Sequence, residues 1–575
     1  MDQIKEQKTL RLSDDNLIDY HCFSSDSSPL SLGAPVVILF NCESYFSDKP
    51  SIIINKLGLP EYTYFSLDFN DCKKNIEPDD GTSMVSYQVY CLQQFITHLN
   101  TQYQINQKDI AIVSHSENAI IVSSWITDYA PDIRSVIFCS PYFFFKKWDI
   151  FLFRLKALHQ ISAIFYRSIT GGTSCNRLNN TRFFSRFSRR KLNDYLHSGQ
   201  RIIRNSFAYF TPTLFIVTRA ERSMVMNGLL KVYANISSYT KSLYMVPEAG
   251  YDSEIEYQED VIIAQVKTFL VANFARQEKV PSLFDSYIRG VTWNEYEKLR
   301  APEVSQLRRI HWALNKFALK HIGKFSSGIK LGLETGFDSG ASLDYIYRNQ
   351  ADGSNILGRY IDRYYLKNVG WNCTRMRGKH VEEFISLAIS RLLGAQKEIK
   401  LLDIAAGHGR YIINALENTH QPIAHLLIRD FDPANVEKGN HLLSQKKFAN
   451  VALFEQGDAF SFADLATLPK DRTLSIVSGL YELFSDNNMV QTSLNGIANA
   501  TEIGGYLIYT TKLWNPKFAY MARVLASHKK GEYWLLRRRS QREIDQMVTI
   551  AGFEKIEQKM DPWGMFSVVL AKKIA

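Results

Sequence analysis

The sequence predicts an α/β protein with two doubly wound domains, and two observations carry this prediction. Short β-branched or apolar runs alternate with helical patterns through residues 1–270, and a second alternating series begins at residue 399. A chain of 575 residues is also far too long for one hydrophobic core. Alternation of this kind favours mostly parallel sheets that are covered by helices on both faces.

The apolar runs are the predicted strands. Those of the first series are 35–40, 62–69, 110–114, 135–140, 213–218 and 242–246. Those of the second series are 400–404, 424–432, 449–458, 473–481, 504–511, 553–560 and 565–573. We expect the final two runs to pair antiparallel and to complete a seven-stranded sheet.

The pattern predicts three regions along the chain. A first domain covers 1–272, a mainly helical connector covers 273–395, and a second domain covers 396–575. The basic, aromatic-rich segment 141–205 interrupts the first series after its fourth strand and is predicted to form a cap. Within the connector, residues 336–349 predict a loop that leads into a helix.

Composition indicates where in the cell the protein is expected and whether metal or disulfide sites are expected. The N-terminal residues are charged and lack the apolar segment of a signal peptide, and no run of about eighteen uncharged apolar residues could span a bilayer. We therefore expect a cytoplasmic protein. Its 7 cysteines are scattered without a C-x-x-C pair, so we expect neither a metal site nor a disulfide framework.

The stretch "LLDIAAGHGRY" predicts a buried strand at 400–404, followed by a glycine-rich turn and a helix. Gly407 and Gly409 let the backbone approach a ligand closely because they carry no Cβ. A dinucleotide-binding fingerprint would need a small residue where Ile412 stands. The turn therefore does not predict a pyrophosphate site.

Two acidic residues end the next strands of the second series. Asp430 lies at a spacing from the glycine turn that lets its carboxylate accept from both ribose hydroxyls. Asp458 is placed to accept from an adenine amino group, while the backbone N–H of Ala459 meets a ring nitrogen. In this order the residues predict a nucleoside without a phosphate. The alternative is that both are ordinary strand-end acids.

These motifs resemble a class I S-adenosylmethionine-dependent methyltransferase. The resemblance lies in D-x-A-x-G-x-G, the strand-end acid, the sequence GDA and the strand "LSIVSGLYELF". More narrowly, "GFDSGASLDYIYRN", "VSGLYELFSDN" and "RRRSQREIDQMVTIAGF" resemble bacterial fusions of an α/β-hydrolase-like domain, of the serine aminopeptidase or lysophospholipase kind, with a methyltransferase domain. The resemblance implies a Rossmann-like C-terminal sheet and S-adenosylmethionine as the cofactor.

The resemblance also implies a role for each motif residue in cofactor binding. The methionine end would be lined by Asp403, Ala405, Gly407 and Gly409, the ribose held by Asp430, and the adenine held by Asp458 and Ala459.

Residues after the fourth strand of the second domain are candidates for catalysis, because this fold usually faces its acceptor there. Ser478 is grouped with the cofactor-binding residues, Tyr481 is a candidate catalytic residue, and Glu482 is the candidate base. The alternative is that Tyr481 and Leu483 pack inward at the start of a helix. Four residues of the connector would cap the acceptor pocket or stand on a solvated loop: Asp338, Asp344, Tyr347 and Arg348.

In the first domain, "IAIVSHSENAII" predicts a strand that enters a helix through a sharp turn with Ser116 at its apex. Related hydrolases carry their nucleophile there, in G-x-S-x-G. The two glycine positions hold Ser114 and Asn118, and the oxyanion motif H-x-G is replaced at Phe40 and Cys42.

The rest of the Ser–His–acid triad is also changed. Glu221 keeps a carboxylate near the acid position, but Tyr251 stands where the family has its histidine base. Tyrosine, with a pKa near 10, is a poor base at neutral pH. We therefore expect a pseudo-hydrolase that keeps the fold. The rival hypothesis keeps Ser116 active through His98 or His197.

The segment 141–205 contains thirteen Lys and Arg residues, but only Asp149 and Asp194 as acids. Its interleaved Phe and Trp side chains suit an anionic membrane surface, at roughly 1 kcal/mol per well-placed basic residue. Nucleic acid is the competing partner, since aromatic rings can stack on bases. A cap with merely solvated charges is the third interpretation.

Together the patterns predict a methyltransferase that uses S-adenosylmethionine and acts on a lipid or small amphiphilic acceptor, fused to a degenerate hydrolase-like domain. Peripheral association with the membrane is expected through the basic segment. The alternatives are a bifunctional ester hydrolase and methyltransferase, an inert scaffold, and an RNA methyltransferase, whose affinity would depend steeply on salt.

Overall fold

The computed structural model describes residues 4–12, 14–24, 33–40, 50–67, 83–143, 189–218, 222–247, 254–276, 279–419, 421–529 and 531–575. The chain divides into two compact units, Met1–Val280 and Pro281–Ala575. Each unit is built on its own mixed sheet, for which the described residues supply eight strands in the first unit and seven in the second. The α/β class predicted from the sequence is confirmed. Within the described ranges, no helix has both the length and the apolarity to cross a membrane.

The sheet of the first unit has the strand order β1-β2-β4-β3-β5-β6-β7-β8. Its strands are β1 (Ile4–Arg11), β2 (Leu17–Ser24), β3 (Val36–Phe40), β4 (Thr63–Leu67), β5 (Ile110–His115), β6 (Ser135–Cys139), β7 (Thr213–Val217) and β8 (Lys241–Met245). The pairs β1–β2 and β2–β4 are antiparallel, and the other neighbours are parallel. The apolar runs predicted as the first series coincide with β3 to β8.

Helices cover both faces of this sheet. They are α1 (Pro50–Leu57), α2 (Met84–Tyr103), α3 (Asn118–Tyr129), α4 (Arg189–Asn205), α5 (Arg222–Asn235) and α6 (Glu254–Phe274). All residues of β3, β5, β6 and β7 are buried, as expected for strands that are covered on both sides. On one face, Ile53 of α1 and Leu270 of α6 pack with Val37 and Ile137 of the sheet.

The hairpin β1–β2 is the part of this sheet that the apolar runs do not predict. The sequence of β1, "IKEQKTLR", is rich in charged residues and lies at the sheet edge. Charged side chains protect an edge strand from pairing with other chains. The same charges remove the apolar signal by which a strand is recognised in a sequence.

The sheet of the second unit has the order β11-β10-β9-β12-β13-β15-β14. Its strands are β9 (Lys400–Ile404), β10 (His425–Asp430), β11 (Ala452–Gln456), β12 (Arg472–Val477), β13 (Thr501–Lys512), β14 (Phe553–Met560) and β15 (Phe566–Lys573). Strands β9 to β13 are parallel, and β15 is antiparallel to both of its neighbours. The predicted antiparallel pair at the end of the chain is therefore present. We call the edge where β9 to β13 end the carboxyl edge.

The second unit contains the helices of the predicted connector as well as those that cover its sheet. They are α7 (Val291–Arg300), α8 (Gln306–His321), α9 (Ser327–Thr335), α10 (Gly340–Arg348), α11 (Ile356–Leu366), α12 (Val369–Gly394), α13 (Arg410–Thr419), α14 (Pro433–Ser444), α15 (Phe462–Ala466), α16 (Asn487–Ala500), α17 (Phe518–Val524) and α18 (Gln541–Ile550). Phe384 of α12 and Ile412 of α13 pack on one face of the sheet, and Leu494 of α16 and Met547 of α18 pack on the other. The predicted loop and helix at 336–349 correspond to α10 and its preceding loop.

Arg537 ties several of these elements together from a fully buried position. Its guanidinium donates to Glu543 of α18 at 2.8 Å, to the Asn487 side chain at 2.6 Å and to Thr292 of α7 at 3.1 Å. It also donates to the carbonyl of Ser485 at 2.9 Å. A buried charge is tolerated only when its hydrogen-bonding groups are satisfied, and here they are.

We predict that Arg537→Met lowers the free energy of unfolding by about 3–5 kcal/mol, because the Glu543 carboxylate is left buried without its main cation. Arg300→Met is the matched control. Arg300 pairs with Glu297 on the exposed surface of α7, so its loss should cost about 0.5 kcal/mol or less. Urea unfolding followed by tryptophan fluorescence measures both. Equal effects of the two substitutions would contradict the prediction.

Candidate functional site

The glycine turn after β9 is built from residues with left-handed backbone conformations. Ala405, Gly407 and Gly409 have φ angles of 58°, 62° and 69°. Glycine adopts this region at no steric cost, whereas Ala405 pays roughly 1 kcal/mol for it. The turn is closed by a hydrogen bond from the Gly409 N–H to the carbonyl of Ala406 at 3.0 Å. The turn thus has the open backbone that the sequence predicts.

Asp430 lies at the end of β10 and contacts this turn. Its Oδ2 accepts a hydrogen bond from the Gly407 N–H at 2.8 Å, and its Oδ1 accepts from the Asp432 N–H at 3.0 Å and from the Asn435 amide at 2.9 Å. Burial raises the pKa of Asp430, against the effect of these hydrogen bonds. The structure therefore brings together the glycine turn and the strand-end acid that the sequence pairs.

Asp403 is fully buried within β9, one residue before the strand ends. The hydroxyl of Tyr411 donates to its Oδ1 at 2.8 Å. Its Oδ2 is buried and has no hydrogen-bond partner among the described residues. Burial, together with the nearby charge of Asp430, raises the pKa of Asp403. An unsatisfied buried carboxylate oxygen beside an open turn suits a cationic donor on a ligand.

The segment after β11 contains a backbone N–H that makes no hydrogen bond with any described residue. The Asp458 carboxylate accepts from the Phe460 N–H at 2.8 Å through Oδ1, while its own N–H donates to Asp464 at 2.7 Å. This N–H belongs to Ala459, the residue between Asp458 and Phe460 in the sequence. Ser478 directly follows β12, and its buried hydroxyl likewise has no hydrogen-bond partner among the described residues.

Two aromatic rings border this side of the carboxyl edge and are not predicted by the sequence patterns. The rings of Phe460 and Phe484 have centroids 4.3 Å apart. The ammonium of Lys529 lies 4.9 Å from the centroid of the Phe484 ring. An apolar rim of this kind suits the face of a purine.

Helix α10 lies against the glycine turn. A Cβ built on Gly407 would be 3.5 Å from the Cα of Gly340, the first residue of α10. Asp344 of the same helix accepts from Arg410 Nε at 2.5 Å, and His408 Nδ1 lies 3.7 Å from the same carboxylate oxygen. Burial opposes ionisation, but the contacts with His408 and Arg410 lower the pKa of Asp344 to about 2. His408 and Arg410 are further residues that the sequence patterns miss.

The other connector residues predicted to form a cap have separate partners. Arg348 lies 3.5 Å from Asp344 and is partly exposed. Asp338 accepts from the Ser527 hydroxyl at 2.8 Å, and its carboxylate is 3.0 Å from Nδ1 of His528. The connector therefore does contribute side chains next to the glycine turn and to the loop at 525–534.

Arg377 of α12 joins the connector to the residues after β12. It donates to the hydroxyl of Tyr347 at 3.1 Å, and its Nη1 lies 3.6 Å from Oε1 of Glu482. Arg377 and Glu482 are both buried, and Oε2 of Glu482 has no hydrogen-bond partner among the described residues. Gly479 has a φ angle of 79°, a region that favours glycine, and a Cβ built on it would lie 2.5 Å from Arg377 Nη1.

Tyr481 points into the core rather than toward the carboxyl edge. Its ring is buried with the α16 and α18 cluster, and its hydroxyl donates to Ser493 at 3.1 Å. Burial raises the pKa of this phenol. Tyr481–Leu483 is a single 3₁₀ turn, and the next helix begins at Asn487. This arrangement corresponds to the inward-packed alternative for Tyr481.

Lys512 is the last residue of β13 and is also buried. Its Nζ lies 5.1 Å from the centroid of the Trp534 ring and 4.8 Å from that of Phe566. The side chain lines a cavity of about 210 Å³ beside the carboxyl edge, which we call the Lys512 pocket. Burial lowers the pKa of Lys512 to about 8. No sequence motif marks this residue.

In the first unit, Ser116 occupies the turn between β5 and α3 with a φ angle of 57°. Its N–H donates to the carbonyl of Cys139 at 3.0 Å, and its own carbonyl accepts from the Tyr142 N–H at 3.1 Å. His115 is buried, which lowers its pKa to about 3. The strained turn predicted for Ser116 is therefore present.

The remaining predicted hydrolase positions are only partly covered. Glu221, Tyr251 and Cys42 lie outside the described residues. His98 is hydrogen bonded to the hydroxyl of Tyr20 on β2 at 3.0 Å, three strands from β5, a separation of roughly 14 Å. His197 is an exposed residue of α4. The structure brings neither histidine into a hydrogen bond with Ser116.

Most of the basic segment 141–205, namely 144–188, lies outside the described residues. The described end forms α4, in which Arg201 donates to both carboxylate oxygens of Asp128, at 2.7 and 2.8 Å, inside the first unit. At least this basic residue is therefore buried in an ion pair. Among the described residues, no group of three or more His, Cys, Asp or Glu side chains is suited to a metal ion.

Comparison with known proteins matches this chain to a protein family and to a relative of similar length. A family model described as "Putative methyltransferase" matches residues 266–573. "Uncharacterized protein YnbC" of Escherichia coli (strain K12) is 32% identical over 550 residues, which cover 93% of each chain.

Similar solved structures include two distant ones. A possible exported protein from Bordetella parapertussis has a TM-score of 0.37 and 15% identity, covering 51% of this chain and 97% of that one. A "putative sarcosine dimethylglycine methyltransferase" from Galdieria sulphuraria has a TM-score of 0.27 and 12% identity, covering 35% and 88%.

We predict that Arg377→Met lowers the free energy of unfolding by about 3–5 kcal/mol, because Glu482 is left buried without its cation. The double variant Arg377→Met/Glu482→Gln should recover part of that loss, with a coupling energy of about 1–3 kcal/mol. Denaturant unfolding of the four proteins in the cycle gives this energy.

The exposed pair Lys559–Glu383 is the control cycle, since both side chains are more than a third accessible and their coupling should stay below about 1 kcal/mol. If the two cycles give the same coupling energy, Arg377 and Glu482 do not form a buried functional pair.

Proposed function

The chain belongs to the family described as "Putative methyltransferase", and on this premise we propose that it transfers a methyl group from S-adenosylmethionine to a lipid or other small amphiphilic acceptor. One observation carries the proposal. Three groups that can contact a ligand follow one another along the chain. They are Asp403 on β9, Asp430 on β10 and the N–H of Ala459 after β11. Such a set of partners suits a nucleoside joined to an amino acid.

The residues present fit the cofactor at each of its parts. Asp403 offers its unsatisfied Oδ2 to the amino group, and the open glycine turn leaves room for the methionine chain. Ala459 offers an unused N–H to the adenine ring, beside the Phe460 and Phe484 rings. The bound cofactor supplies an electrophilic methyl group on a sulfonium sulfur.

Asp430 would hold the ribose at the cost of one of its present contacts. A carboxylate offers about four acceptor positions, and three are taken by Gly407, Asp432 and Asn435. One ribose hydroxyl can use the free position. The second must replace a donor, and the Asn435 side chain is the one that can rotate away without breaking a backbone contact.

The groups on the acceptor side are Glu482 and the Lys512 pocket. Glu482 keeps Oε2 without a partner among the residues described, and it is the proposed base for an acceptor that must lose a proton. The mainly apolar lining of the Lys512 pocket supports an amphiphilic acceptor. Positioning of the acceptor in line with the sulfonium carbon supplies the rest of the catalysis.

For the first unit we propose an α/β-hydrolase-like fold that has lost its hydrolytic triad. The strand order, the antiparallel start of the sheet and the positive φ of Ser116 support the fold. Neither His98 nor His197 bonds to Ser116 within the described part of the chain. The strained Ser116 turn also favours a second candidate, a bifunctional ester hydrolase and methyltransferase.

We predict that S-adenosylmethionine binds saturably to the purified protein and that Asp430→Ala weakens the affinity at least about tenfold, since a hydrogen bond to a charged group is worth about 1.5–3 kcal/mol. Isothermal titration calorimetry measures the affinity. Glu437→Ala removes an exposed acid from the adjacent helix α14 and should leave it unchanged. A folded wild type that does not bind would refute the methyltransferase proposal.

We predict no ester hydrolysis above background by the wild type on short-chain and long-chain acyl p-nitrophenyl esters, because a serine hydroxyl is a weak nucleophile without an adjacent base. Ser116→Ala should give the same trace. Hydrolysis by the wild type that disappears in Ser116→Ala would instead establish the bifunctional enzyme.

A further inference from the structure

We propose that the Lys512 pocket is a binding site for a small apolar molecule that carries one anionic group, with Lys512 as the counter-ion. If the proposed function is correct, this molecule is the methyl acceptor or part of it. The binding proposal itself does not require methyl transfer, and it can be tested without the cofactor.

The pocket is mainly apolar and lies between the connector helices and the end of β13. Its walls include Phe337, Tyr365, Trp371, Trp534 and Met565. The rings of Trp371 and Trp534 stack with centroids 5.9 Å apart and planes inclined by 15°. Such a surface binds rings or acyl chains by excluding water from both sides.

Donors without matching acceptors define the polar part of the same pocket. The Lys512 ammonium makes no hydrogen bond and no ion pair with any described residue. Asn515 uses its Oδ1 to accept from the Lys517 N–H at 2.8 Å, which leaves its amide N–H groups for the pocket. No carboxylate is among the described lining residues.

The two acids near Lys512 are already engaged elsewhere. Glu482 lies 3.6 Å from Arg377. Asp561 accepts from the N–H groups of Trp563 at 2.8 Å and Met565 at 3.0 Å, and also from that of Phe566. Lys512 is thus a buried cation that lies over two aromatic faces, and the two acids act on it only electrostatically, without a direct ion pair. Because aromatic faces offset only part of a buried charge, a ligand anion gains affinity here.

The size of the pocket limits the ligand. An apolar cavity of roughly 150 Å³ holds benzene, and the Lys512 pocket measures about 210 Å³. It therefore takes one ring with a short side chain or an acyl chain of moderate length. Exposed Lys517 at the rim adds positive potential, which favours the approach of an anion.

The test compares acids with neutral molecules of the same shape. Cinnamate and cinnamyl alcohol, and octanoate and 1-octanol, are titrated calorimetrically into the full-length protein without cofactor. We expect at least one acid to bind about ten- to a hundredfold more tightly than its alcohol, as a charge-assisted contact requires. In Lys512→Met the acid should lose that advantage while the alcohol changes by less than about threefold.

Two further variants keep the outcome decisive. Lys512→Arg retains the charge and should retain the preference for the acid, whereas Lys438→Met, which removes an exposed lysine of α14 that is not among the lining residues, should shift the acid affinity by no more than about threefold. Equal binding of acid and alcohol by the wild type overturns the proposal, as does the absence of binding by both acids.

S-adenosylmethionine titrated into the same preparations separates this result from the proposed function. A protein that binds the cofactor and neither acid refutes only the pocket. A protein that binds an acid and not the cofactor keeps the pocket and refutes methyl transfer.

Discussion

The buried ion pair between Arg377 and Glu482 is the constraint on which the carboxyl edge of the second unit depends. It joins α12 to the turn after β12, and the Tyr347 hydroxyl extends it to α10. Two charges removed from water are stable only with good partners. The pair therefore joins α12 to the sheet at this edge. The residue that faces Arg377 is Gly479, whose φ angle of 79° favours glycine.

Sequence motifs predict Gly407 and Asp430 of the candidate site, but they do not predict Arg377 and Lys512. Gly407 and Asp430 were predictable because a left-handed turn and a strand-end acid follow from neighbouring residues and from strand spacing. Arg377 and Lys512 belong to no motif. Their importance comes from the packing of a 26-residue helix on a distant strand. For the same reason, the apolar strands β3 to β8 could be predicted from the sequence and the charged edge strand β1 could not. The position of β1 is set by its tertiary pairing.

The first unit holds Ser116 in a costly local geometry through backbone hydrogen bonds. A positive φ at a serine costs of order 1–3 kcal/mol unless the surroundings fix it, and here hydrogen bonds from and to Cys139 and Tyr142 fix the Ser116 backbone. The strain is thus held by the backbone of β6 and the following loop. The geometry of the turn does not require a base and therefore does not decide whether Ser116 is catalytically active.

Two buried ionisable side chains of the second unit, one acidic and one basic, keep hydrogen-bonding capacity that the described residues do not use. Asp403, on β9, is a buried acid with an oxygen that lacks a donor, and Lys512, at the end of β13, is a buried cation without an ion pair among the described residues. Each raises the free energy of the unliganded state, since polar groups buried without hydrogen-bond partners are unfavourable. A ligand with an amino group relieves the first, and one with an acidic group relieves the second. Binding energy is then available at two positions of the second sheet, on β9 and at the end of β13, which are separated by the single strand β12.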